Sequence, residues 1–302
     1  TYGATFGGPI IKDKLFFFAN YEKYTRSSPS PDLSSSPLFN PNGDFNAADL
    51  AQVIDIAKNA WGIDAGTPEG SGNSDTTLEE YAVKLDWNIN ESHRANVRYS
   101  KLEQDRVRPS AIGAQALSLS SSWFNHVKTV ESVVGQVFSD WSDNFSTEFK
   151  ASYRDYSSIR VNPGTAPTIS VYFDDGNPST PVTNGDYIRF GTERSSMGNA
   201  LETKTWNYFG AATWTLGDHD IKFGAEYSDN EIYNYFLQDS WGNYSFYGID
   251  AFQRGEYFDY DLQANLANPA AIAAQYSNRN LGLFLQDTWY VNHNLTLTLG
   301  LR

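Results

Sequence analysis

Residues 239–261, DSWGNYSFYGIDAFQRGEYFDYD, hold the densest candidate chemistry in the chain. Trp241, Tyr244, Phe246, Tyr247, Phe252, Tyr257, Phe258 and Tyr260 stand among carboxylates, a mixture that can stack on a sugar or hold a peptide. Such residues also build the small core of a loop or extend a hairpin. Trp241, Tyr244, Phe246, Tyr247, Tyr257 and Tyr260 are the ligand-binding candidates to weigh against that structural alternative.

Other polar groupings are weaker. Asp174 and Asp175 in FDDGNPS, and Glu256, Asp259 and Asp261, offer oxygen ligands for calcium but lack the ordered spacing of a calcium loop. His93, His219 and His293 fall at or beside short turns and His126 beside a long connection, with no metal-ligand spacing between any two. The GG of GGPI, Gly7 and Gly8, has neither the helix start nor the Lys of a phosphate loop and reads as a place of close backbone packing. With no Cys, thiolate metal sites and cysteine nucleophiles are excluded from this sequence. No catalytic residue, cofactor or metal is assigned, and the chain reads as a binding protein, not an enzyme. Lys and Arg number 22 against 36 Asp and Glu, and the resulting charge of -14 repels phosphate backbones, so nucleic acid is not an expected partner.

The elements that must carry these residues show a period of two. In EYAVKLDWNI (80–89) Tyr81, Val83, Leu85, Trp87 and Ile89 alternate with mostly polar neighbours. FSTEFKASYR (145–154), DIKFGAEYSD (220–229) and LTLTLGLR (295–302) repeat the pattern, while 126–141 and 201–216 alternate less cleanly. The polar faces carry Lys84, Asp86, Arg98, Glu148, Lys150, Arg154, Lys222 and Glu226, which fit a wet lumen or simple hydration and ion pairing.

Tight polar turns at 11–14, 90–93, 142–144, 217–219 and 292–294 alternate with long connections at about 27–78, 107–126, 161–200 and 239–277. Ten strands result. Within the first long connection, 46–61 has apolar spacing near 3.6 and predicts a helix. Trp87, Trp141, Trp214 and Trp289 each stand just before a short turn, which puts four indoles at one rim. A lipid–water interface selects such a ring, because indole is apolar yet carries an N–H that needs a partner. In LFFF, residues 15–18, the chain enters the bilayer directly from that rim.

Together these features predict an all-β, antiparallel up-and-down transmembrane β-barrel with short periplasmic turns and long extracellular loops. GGPIIKDKLFFFANYE, YAVKLDWNINESHRANVRYS, TWTLGDHDIKFGAEY and LFLQDTWYVNHNLTLTLGLR resemble the barrel of TonB-dependent outer-membrane receptors, specifically the Oar-like subgroup, which commonly carries a carboxypeptidase-regulatory-like domain. The resemblance implies a barrel of about 22 strands, of which residues 1–302 would be a partial set. It also implies bacterial outer-membrane lipid as surroundings, an extracellular solute as ligand, and TonB as partner through a plug and box upstream. Strand direction supports this expectation of a fragment: with short turns periplasmic, the first strand descends and the last stops in mid-bilayer. Two other readings stay open, a closed ten-stranded outer-membrane barrel enzyme such as a surface protease, and a secreted all-β glycan-binding module.

Overall fold

A computed structural model describes residues 1–28, 45–68, 75–110, 115–173, 185–264 and 272–302. The chain runs through β1 (Tyr2–Ile11), β2 (Leu15–Arg26), α1 (Ala47–Trp61), β3 (Thr76–Asn88) and β4 (His93–Arg108). It continues through β5 (Ala116–Ser118), β6 (Phe124–Ser142), β7 (Phe145–Val161), β8 (Thr168–Tyr172), β9 (Tyr187–Phe190), β10 (Asn199–Leu216) and β11 (His219–Phe236). The last elements are β12 (Asn243–Tyr247), α2 (Gly248–Arg254), β13 (Tyr257–Asp261), β14 (Ala274–Asn292) and β15 (Leu295–Leu301).

Ten strands form one sheet in the order β1-β2-β3-β4-β6-β7-β10-β11-β14-β15, each antiparallel to its neighbour. The sequence explains the order: a polar turn of a few residues lets consecutive strands pair at once. Side chains in register share a face, so Ala19, Val83, Tyr99, Val133, Tyr153 and Trp206 form a row across β2 to β10. Val83, Tyr99, Val133 and Trp206 in that row are exposed, as are Leu85, Phe149, Phe223, Leu283 and Leu299 on the same face. A surface this apolar is unsuited to water and suited to hydrocarbon. Leu15 and Phe17 lie on it, whereas Phe16 and Phe18 are in register with Asp86 and Lys84 and face the other way. Strict alternation therefore sends only half of LFFF toward lipid.

The sheet is open. β1 and β15 stand at its two ends and are not paired with each other, so the closed ten-stranded barrel is not formed. Close pairing at the first hairpin needs glycine: a Cβ on Gly7 would come within 2.9 Å of the Phe17 carbonyl oxygen, whereas one on Gly8 would meet nothing within 4 Å.

The conventional hydrophobic core lies elsewhere. The long connections, in which the sequence predicts only the 46–61 helix, fold together into a cap built on a second sheet in the order β13-β12-β8-β9-β5, with parallel β12·β8 and β5·β9 pairs. Phe45, Leu50, Val53 and Ile56 from the first connection pack with Leu117, Leu119, Ile169, Val171, Ile188, Phe190, Phe246 and Phe252. Each such burial stabilises the cap by roughly 1.5–3 kcal/mol relative to exposure. Helix α1 starts at Asn46, whose side chain accepts from Ala48 and Asp49 N–H while Asp49 accepts from Asn46 N–H, and it ends at Gly62 in the left-handed region, φ 68°.

Candidate functional site

In this architecture short turns are periplasmic and long connections extracellular, which puts the cap outside the cell. Its outer strands carry the aromatic candidates. Tyr244, on β12, meets Tyr260 across the β12·β13 pair at 4.5 Å and Tyr257 at 5.5 Å, and Tyr257 lies 5.9 Å from Tyr260. On the opposite side Phe258 meets Tyr172 edge-on at 5.8 Å. Trp241, Tyr247, Tyr257 and Tyr260 are exposed, at 38%, 41%, 54% and 40%.

Phe246 does not join that surface. It is 5% exposed and packs edge-on with Phe252 in the cap core, where Tyr244 is also partly buried. Alternation on β12 places Phe246 beside Tyr244, and the two rings do stack, at 6.4 Å. What it could not reveal is that α2 folds back and covers one end of that face. Among the calcium candidates, Glu256 is engaged by Arg254 at 2.8 Å and Asp261 lies 3.8 Å from Arg194. Asp174 and Asp175 lie outside the described residues.

The base of the cap is tied by charge. Asp239, fully buried and at φ 51°, accepts two hydrogen bonds from Arg194, Nε at 3.1 Å and Nη2 at 2.5 Å, joining the β7–β10 and β11–β14 connections. The carboxylate holds the Arg194 guanidinium above its ordinary basicity. Burial is the main cause that raises the Tyr172 and Tyr244 phenols, and Tyr244 is raised further by its hydrogen bond with Tyr260. Arg254 holds Glu256 below the usual carboxylate range.

The polar face of the large sheet curls around a groove of about 550 Å³ spanning β6, β7, β10, β11 and β14. Glu148, Lys150 and Glu226 line it, with Gln136, Asn207 and Phe209. Phe209 stacks on Phe284 at 5.8 Å, an inward aromatic pair that weak alternation in β10 concealed. The other polar-face candidates lie apart: Lys84 bonds Asp86 at 2.7 Å, Arg98 is in register with Lys84, Arg154 with Ser132 and Thr205, and Lys222 with Thr213 and Gln286.

Trp87, Trp141, Trp214 and Trp289 are all exposed near the short-turn ends of their strands. Two of them hold a histidine: His93 meets Trp141 edge-on at 5.0 Å, and His219 stacks on Trp289 at 5.4 Å while bonding Asp287 at 2.9 Å. Each His is the first residue of its strand, His219 in register with Trp289 and His93 with Ser139, two residues before Trp141. Trp141 Nε1 donates to Thr147 Oγ1 at 2.9 Å. His126 bonds Ser158 at 2.9 Å at the other end of the sheet, and His293 stays in the β14–β15 turn. A second aromatic series, Tyr21, Tyr81, Tyr99, Tyr153, Trp206, Tyr208 and Tyr227, occupies the same face toward the cap. Reading the strands for aromatics at both ends would have found it.

The chain matches the model of the outer membrane beta barrel domain over residues 1–68 and 59–302. No curated protein matches it. Among solved structures it is similar to the outer membrane transporter YddB from Escherichia coli, with TM-score 0.60 and 11% identity over 99% of this chain and 32% of that one. The siderophore receptor PirA from Acinetobacter baumannii superposes with TM-score 0.50 and 14% identity, over 99% of this chain and 34% of PirA. The chain thus spans about a third of the length of these structures.

Proposed function

This chain belongs to the outer-membrane β-barrel domain family and resides in the bacterial outer membrane, and from that premise we propose that it is part of a receptor that binds an extracellular solute at its cap and imports it with TonB-coupled energy. The observation that carries the reading is the cap itself. A passive pore needs an open mouth, whereas this chain gives its only conventional core, among the described residues, to a folded platform that presents Trp241, Tyr247, Tyr257 and Tyr260.

The open sheet fits the same reading. Unpaired strand edges are not tolerated in hydrocarbon, so β1 and β15 must be completed by further strands, as in a larger barrel whose plug contacts TonB. The groove lined by Glu148, Lys150 and Glu226 then becomes part of the plug-facing wall. Trp87, Trp141, Trp214 and Trp289 form the periplasmic belt in lipid, and the cap aromatics contact the solute, with Phe246 supporting them from beneath. Peptide-derived material or a glycan is the solute class suited to aromatic faces with neighbouring acids.

Uptake in cells tests this. Cells expressing the full-length receptor are supplied with labelled peptide digests, oligosaccharides and metal-chelate complexes, with and without TonB. One class should accumulate only when TonB is present, and Tyr257→Ala with Tyr260→Ala should reduce that accumulation at least fivefold. Accumulation that persists without TonB would instead identify a passive pore.

A further inference from the structure

The two edges of the cap sheet differ. β5 is buried along its length, and Leu119 N–H just beyond it still donates to Arg189 O at 2.8 Å. β13 is exposed at all five residues and, among the described residues, pairs only with β12. A strand paired on one side presents unpaired N–H and C=O groups on the other, which template the addition of another extended chain.

Side chains restrict what that chain can be. Tyr257 and Tyr260 stand on one side of the edge and Phe258 on the other, ready to pack against alternate side chains of a neighbouring strand. Asp259 and Asp261 lie in the strand itself, with Glu256 just before it. Nearby cations are already engaged: Arg254 by Glu256 at 2.8 Å, and Arg194 by the buried Asp239 and, at 3.8 Å, by Asp261. A second copy pairing edge to edge would oppose these acids with their own kind, an arrangement that destabilises a sheet. A chain bearing cations meets the opposite situation.

We propose that β13 is the docking edge for an extended peptide carrying Lys or Arg, which adds to the cap sheet as a further strand. The inference rests on the cap being the solute-binding face and names the class of solute: main-chain pairing supplies affinity that tolerates varied sequences, and Asp259 supplies the preference for cations.

The test uses the full-length receptor in lipid nanodiscs and three end-capped decapeptides: alternating Lys and Val, the same peptide with all backbone nitrogens methylated so that neither edge can pair, and alternating Glu and Val. The Lys–Val peptide should bind, the methylated version at least tenfold more weakly, and the Glu–Val version not measurably. Hydrogen exchange at residues 257–261 should slow with the first peptide only. Asp259→Lys, an exposed change that leaves the fold intact, should weaken Lys–Val binding at least fivefold. Equal binding of the methylated peptide, or no binding by any of the three, would overturn the proposal. Uptake that depends on TonB, Tyr257 and Tyr260 but shows no such peptide preference would keep the cap as the solute site while removing the edge-strand mode.

Discussion

Arg194 and Asp239 show how much of the cap hangs on single residues. The pair joins two connections distant in sequence, and the carboxylate has no access to solvent. Arg194→Ala leaves that charge buried without its cation, and the cost of breaking such a pair is about 3–5 kcal/mol. The cap of the variant should become protease-sensitive well below the temperature at which the barrel loses its folded mobility on a gel. Tyr172 and Tyr244 set a limit at high pH. Burial raises both phenols, so their contribution to cap stability is fully present below the ordinary phenol value of about 10 and is lost as pH rises through their folded values. Absorbance at the tyrosinate band should show late-titrating phenols. Tyr244→Phe should remove one of them and move the alkaline loss of cap structure to higher pH. None of this was legible in sequence, where Arg194 and Asp239 are two unremarked charges in polar connections. What the sequence does show is the concentration of aromatics and acids over 239–261, though not its division into a buried Phe246 and an exposed Tyr257.

Legibility varies from element to element for a physical reason. Each long strand has one neighbour across a turn of a few residues, and long connections join the resulting hairpins in sequential order, so period two and turn chemistry carry most of the information needed for the ten-stranded sheet. The cap strands are three to five residues long and pair across wide gaps, β12 with β8 and β5 with β9 in parallel. Segments that short show no period, and nothing local chooses their partners. Helix α1 differs because its apolar spacing and its Asn46 cap are local. If the cap is one cooperative unit, its far-apart pieces must fail together. Phe252→Ala empties a site that is 1% exposed between α2, Phe190 and Phe246, at a cost of about 3–5 kcal/mol. Asn46→Ala, at the opposite side of the same core, costs about 1 kcal/mol. Hydrogen exchange should report both losses across β8, β9 and β12 together, in proportion to these magnitudes, with β3 and β4 unchanged. Exchange confined to α1 in Asn46→Ala would show instead that the helix is a separate appendage.

At the scale of the whole molecule the apolar and polar halves are exchanged relative to a soluble domain. Most of the buried side chains lie in the extracellular cap, and the spanning sheet shows its apolar residues outward. Aromatics bound that outward face at both levels, with Tyr81 and Trp87 on β3 and Trp206 and Trp214 on β10. At a rise of about 3.3 Å per residue the interval is roughly 20–26 Å along the strand, or roughly 15–20 Å of height at a tilt of about 40°, which fits within the apolar band of an outer-membrane barrel, about 25 Å tall. Adjacent residues on one strand should therefore respond oppositely to charge. Leu85 lies between the two belts on the lipid face, and Leu85→Arg should destabilise the full-length protein in vesicles by about 2–4 kcal/mol. Lys84 beside it faces the groove side, where water solvates either side chain, and Lys84→Gln should change stability by no more than about 0.5 kcal/mol. Urea unfolding in lipid vesicles measures both. Equal effects at the two positions would mean that the outward face of β3 does not meet hydrocarbon, and the assignment of faces across the sheet would fall with it, because register ties every strand to its neighbour.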